Sequence, residues 1–66
     1  VDNRNFVKNL RKKLNMTQRT FAGALGASIK TIEKWEAGNG KINNIALRLL
    51  YLLDKKPYLI HEIYPV

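Results

Sequence analysis

The chain has 66 residues, no cysteine and one histidine, and twelve Lys and Arg outnumber five Asp and Glu to give a net charge of +7. The missing thiols and the single imidazole exclude disulfides, a thiolate metal centre and a multi-histidine site within one chain. A chain this short buries only ~60% of its unfolded surface, which suits a small binding module better than an enzyme with a deep pocket.

The first four residues are polar and expected to fray. Asn3 or Asn5 is placed to cap a first helix running to about residue 13, with Phe6, Val7, Leu10 and Leu14 as its buried stripe. Arg11, Lys12 and Lys13 close that helix, where positive charge is favourable against the helix dipole. Lys12 and Lys13 read as a solvated helix end. In the short link Leu14-Asn15-Met16, the two apolar residues are plugs for the core.

Residues 17–38 organise the chain. Thr17 can accept an orphan N–H of the opening turn and cap a second helix. Phe21, Ala22 and Leu25 share one face of that helix. Gly26 supplies the left-handed conformation that stops it. Ser28 is the next cap, and Ile29, Ile32 and Trp35 make the apolar stripe of a third helix that Gly38 ends. Small Ala22 and the turn at Gly26 let the two helices approach closely, with Ile32 filling the angle between them, as in a helix-turn-helix. Ser28, Lys30, Thr31, Glu33 and Lys34 are left as a hydrophilic outer face.

Two glycines and two asparagines among residues 38–43 mark a loop that can offer backbone N–H groups and Lys41 to a phosphate. Asn43 or Asn44 then caps a fourth helix over residues 45–53, with Ile45, Leu49, Leu52 and Leu53 as its inner face and Leu50 and Tyr51 outside or in a second interface. This helix is apolar around most of its circumference, so it is central to the core or buried on two sides. Pro57 opens a short fifth helix through Tyr64. Its apolar residues Leu59, Ile60, Ile63 and Tyr64 either close the core or form a subunit interface. His61 reads as a surface or interface residue.

The pattern Leu-x-x-Thr-Gln-x-x-Phe-Ala-x-x-Leu-Gly-x-Ser-x-x-Thr-Ile-x-x-Trp-Glu-x-Gly, from Leu14 to Gly38, resembles the phage-repressor type of helix-turn-helix domain, the Cro/C1 or XRE-like family. The C-terminal run Leu-Arg-Leu-Leu-Tyr-Leu-Leu-Asp-Lys-Lys-Pro is similar to DNA-binding antitoxins of the HigA, MqsA and NadS-like types. The first resemblance implies a compact all-α domain of five helices. It also implies an ion pair between Arg11 and Glu36, tying helix one to helix three, and a phosphate contact by Gln18. Many members carry a polar residue, often Gln, where Ile29 stands. Ile29 cannot hydrogen-bond but can pack on a thymine methyl.

The major groove admits one helix and displays a distinct edge pattern for each base pair. In this motif the second helix of the pair, here about residues 28–37, lies in the groove with its N-terminal end inward. The base readers are therefore expected to be Ser28, Ile29, Lys30, Thr31 and Lys34, with Ser28 limited by its capping role. Phosphate contacts are expected from Gln18, at a helix N-terminus that favours anions, and from Arg19, Asn39, Lys41 and Asn43. The net charge and an isoelectric point near 10.1 fit a nucleic-acid partner, although basic chains also serve membrane surfaces and acidic proteins.

The expectation is a single domain over residues 1–66 that binds double-stranded DNA. It would act as a two-fold dimer on an inverted repeat and as a transcriptional repressor, and could be the DNA-binding antitoxin partner of a toxin protein. The alternative is a protein-interaction module, toxin-neutralising or coactivator-like, with little DNA specificity of its own. Nothing suggests catalysis: there are no paired carboxylates in a plausible cleft, no nucleophile–His arrangement and no Gly-rich phosphate loop before a helix. No cofactor or metal is expected. No apolar run nears the ~18–20 residues that span a bilayer and no signal-peptide pattern is present, so a soluble, cytoplasmic chain without membrane association is expected. The first residue is Val rather than Met, which leaves room for a preceding segment.

Overall fold

Local caps and helix stops divide the chain before any tertiary contact is considered. The computed structural model describes residues 3–63, with side chains from residue 5 onward. The order is α1 (Asn3–Lys13), α2 (Gln18–Leu25), α3 (Ile29–Ala37), α4 (Asn44–Lys55), a 3₁₀ turn (Pro57–Leu59) and α5 (Ile60–Ile63). The described residues are all-α with no strand, and no helix among them is long and apolar enough to cross a membrane. Asn5 lies inside α1, which is described from Asn3 onward, and the cap of α1 falls outside the described residues.

The first three helices end in one way. Asn15, Gly26 and Gly38 adopt left-handed φ values of 57°, 74° and 80°. Each donates its N–H to a carbonyl three residues back, and the next residue donates to the carbonyl five back: Met16 to Arg11 at 3.1 Å, Ala27 to Ala22 at 2.8 Å and Asn39 to Lys34 at 2.9 Å. This paired closure satisfies carbonyls that a helix end leaves orphaned. The stops at Gly26 and Gly38 are those the sequence announces. The one at Asn15 is not, because in a short polar link an asparagine signals a loop as readily as a helix stop.

The starts of α2 and α3 are equally alike. Thr17 Oγ1 accepts the Thr20 N–H at 3.1 Å, and Ser28 Oγ accepts the Thr31 N–H at 3.2 Å. In both caps the hydroxyl also bonds the threonine hydroxyl three residues on, at 3.0 Å. Stop and cap are so close that only residues 26–28 separate the two helices.

Helix α3 packs on both α1 and α2. The core consists of Val7 and Leu10 from α1, Phe21, Ala22 and Ala24 from α2, Ile32 and Trp35 from α3, Ile42 from the loop, Leu50 and Leu53 from α4, and Ile60 from α5. Every buried residue among those described is apolar.

Helix α4 differs from the expected one in extent and phase. It starts at Asn44 under a cap from Asn43, whose Oδ1 accepts the Ala46 N–H at 2.9 Å, and it runs to Lys55. Leu50, expected outside, is fully buried, whereas Ile45 and Leu52, expected inside, are 85% and 46% exposed. Ile42 explains the phase. It precedes the cap and is buried, so it fixes the angle at which the chain enters the helix, and Ala46, Leu50 and Leu53 follow it inward. Tyr51 is exposed at its edge and rests on Phe6, with ring centroids 5.0 Å apart.

The fifth helix is shorter than expected and begins as the 3₁₀ turn. That turn, opened by Pro57, swings Ile60 against α2 and into the core, where it is only 4% exposed. Ile60 is therefore unavailable as a subunit interface. Leu59 is half-buried against the core and Ile63 is exposed, while Tyr64 lies outside the described residues.

Candidate nucleic-acid interface

Three helices meet at the carboxylate of Glu36, in the last turn of α3. Arg11 of α1 grips it with two prongs, Nε donating to Oε2 at 2.7 Å and Nη2 to Oε1 at 3.1 Å. Gln18, the first residue of α2, donates Nε2 to the same Oε1 at 3.2 Å. The third guanidinium nitrogen of Arg11 donates to the Met16 carbonyl at 3.0 Å, on the link between α1 and α2. The Arg11 and Glu36 side chains are 14% and 8% exposed. Burial pushes the Glu36 carboxyl up, but bonds from Arg11 and Gln18 and the charges of Arg11 and Lys8 outweigh it and hold the group below the usual carboxylate range. The bond to Glu36 raises the Arg11 guanidinium, against a smaller opposing effect of burial. The sequence alone did not reveal the Gln18 contact, which depends on two helix ends converging.

The outward side of α3 carries Lys30, Glu33, Lys34 and Ala37, all exposed. At 3.6 residues per turn these positions share one face. Lys30 and Lys34 stand where the sequence puts them. Ser28 and Thr31 are tied to each other through the cap, and Thr31 is half-buried. Ile29 is half-buried and packs against the core, so only part of its surface faces outward. Glu33, not among the expected readers, occupies the middle of this face. Its spacing of three from Lys30 and four from Ala37 is the signal that places it there.

The expected phosphate contacts divide into two sets. Gln18 is half-buried, with one amide N–H held by Glu36 and the other unassigned. Arg19, Asn39 and Lys41 are exposed. Asn43 spends its oxygen on the α4 cap and keeps its NH₂ as a donor. Asn43 and Thr31 line one open apolar groove of about 330 Å³ between α3 and α4, together with Leu25, Trp35, Leu49 and the projecting Ile45. Lys13, read as a solvated helix end, is instead paired with Asp54 at 2.7 Å and ties α1 to α4 at the surface.

The fold and this surface define an all-helical domain in which two capped helices, joined by a three-residue turn, present a mainly cationic outer face. A family model described as the antitoxin component of the bacterial toxin-antitoxin system, MqsA, matches residues 1–64, and the chain belongs to that family. It is 34% identical over 58 residues to antitoxin MqsA of Escherichia coli (strain K12), covering 88% of this chain and 44% of that protein. It is 33% identical over 57 residues to antitoxin HigA-2 of Vibrio cholerae serotype O1 (strain El Tor Inaba N16961), covering 86% of this chain and 55% of that protein. The chain thus spans about half the length of these curated relatives. No solved structure matches it.

Proposed function

We propose that this domain is the DNA-binding part of an antitoxin, a helix-turn-helix of the phage-repressor type that places α3 in the major groove. The observation that carries this reading is the exposed face of α3 with Lys30 and Lys34, on a helix whose two ends are fixed by the Ser28 cap and by Glu36. Lys30 and Lys34 are suited to donate to guanine O6 or N7. Gln18, Arg19, Asn39, Lys41 and Asn43 hold phosphates and set the register without reading sequence. One domain of this size reads few base pairs. Two copies on an inverted repeat, with half-sites about one helical turn apart, give the specificity a repressor needs. The repressed promoter is its own operon, and the protein partner is a toxin.

Selection of bound duplexes from a random DNA pool at about physiological salt tests this reading, because non-specific binding there is only ~10⁻⁴–10⁻⁶ M. An enriched inverted repeat is expected, and its spacing gives the geometry of the dimer. An enriched half-site alone overturns the dimer but not the reading helix. A pool with no enrichment overturns the DNA reading and favours a protein-interaction module.

A further inference from the structure

The carboxylate of Glu33 is an anomaly on the outward face of α3. It is exposed and makes no hydrogen bond or ion pair, although Lys30 lies one turn away on the same face. Glu36 and Asp54, by contrast, are each bound to a cation. On a surface meant only to attract phosphates, a free carboxylate in the centre is a liability, since it repels every backbone oxygen it approaches. An ionised carboxylate accepts hydrogen bonds and donates none. In the major groove it meets a favourable partner in the cytosine N4 amino group. The adenine N6 donor is flanked by the acceptors N7 and thymine O4, which repel a carboxylate, and guanine and thymine edges offer it acceptors.

We infer that Glu33 is a specificity-determining residue that accepts a hydrogen bond from cytosine N4 and thereby selects one G·C pair in each half-site. This rests on α3 being the reading helix. Lys30 and Glu33 are offset by about 4.5 Å along the helix axis, close to the ~3.4 Å stacking distance of bases along a strand. A lysine donor and a carboxylate acceptor at that offset fit neighbouring or identical G·C pairs, the lysine taking guanine O6 or N7 and the glutamate the cytosine amine. Glu33 lowers affinity for DNA in general and raises it where that amine is present, so it works by discrimination against other sites.

The test compares the wild-type chain with Glu33→Ala and Glu33→Gln in selection from a random duplex pool. Binding to one unrelated duplex at several salt concentrations accompanies it. Glu33 is exposed and unpartnered, so both variants should melt with the wild type. For the wild type, one position of the half-site shows cytosine preferred by about tenfold. Glu33→Ala levels that position alone and binds the unrelated duplex several-fold more tightly. Glu33→Gln moves the preference toward adenine, whose N6 and N7 suit an amide. Replacing the selected cytosine by 2-pyrimidinone, which lacks the amine, weakens the wild type and leaves Glu33→Ala unaffected. If the wild type enriches a site and Glu33→Ala enriches the same one with every position intact, the inference is wrong while the DNA reading stands. If the wild type enriches nothing, both fall together.

Discussion

At the scale of single residues, Glu36 has the most to lose. It holds α1, α2 and α3 through one carboxylate, and its folded pKa lies below its ordinary value. A carboxyl depressed by folding adds stability that is complete above its unfolded pKa and is lost as the pH falls through the folded one. Arg11, whose guanidinium the bond to Glu36 raises further, stays charged throughout that range. Urea unfolding should therefore show stability declining below about pH 4.5, and Glu36→Gln should flatten that acid limb. The same variant should cost about 1–2 kcal/mol at pH 7, between the values for exposed and fully buried pairs. A second prediction separates positioning from reading. Lys41→Ala should weaken all duplexes alike and reduce the salt slope by ~1, whereas Lys30→Ala should relax preference at one base pair. Identical behaviour of the two in filter binding would remove Lys30 from the readers. The caps at Thr17 and Ser28 and the stops at Gly26 and Gly38 were legible in the sequence because each acts within four residues of itself. The Gln18–Glu36 bond was not, because its partners are 18 residues apart and meet only after α2 and α3 have folded back on each other.

At the scale of elements, α4 shows where periodicity fails. Leucines, isoleucine and tyrosine surround it on most sides, so several phases satisfy the same pattern, and the buried Ile42 outside the helix decides among them. Leu50→Ala should accordingly cost about 3 kcal/mol, as deletion of a buried leucine does, while Leu52→Ala should stay within about 0.5 kcal/mol at low protein concentration. A larger loss for Leu52→Ala than for Leu50→Ala in denaturant titrations would return α4 to the phase first expected. Helix α2 supports a paired test of opposite sign. Gly26 holds a left-handed φ of 74° with open space around it, so Gly26→Ala should cost about 1–2 kcal/mol from backbone strain alone. Gly23 lies within the same helix and is equally uncrowded, so Gly23→Ala should add up to about 1 kcal/mol. Thermal melts would show midpoints moving in opposite directions.

At the scale of the whole molecule, the chain described is 30 Å in its longest dimension and has a single apolar core to which every helix contributes. The likeness to MqsA-type antitoxins, the all-α architecture and the central pair of helices could be read from 66 letters because each depends on local signals repeated along the chain. The boundary between core and surface on α4 and α5 could not, since it depends on how Ile42 and Pro57 redirect the backbone.

The closed ends of α2 and α3, capped at the start and stopped by a left-handed glycine, have a calorimetric consequence. A helix whose terminal carbonyls and amides are already satisfied has little left to order when it meets a duplex, so association carries no contribution from coupled folding. The heat-capacity change of binding to a selected site should then scale with the contact surface alone, without the excess that accompanies ~1,000–3,000 Å² of burial in segments that fold on their target. Titrations at several temperatures would measure it, and a much larger negative slope would mean that part of the domain takes shape only on DNA.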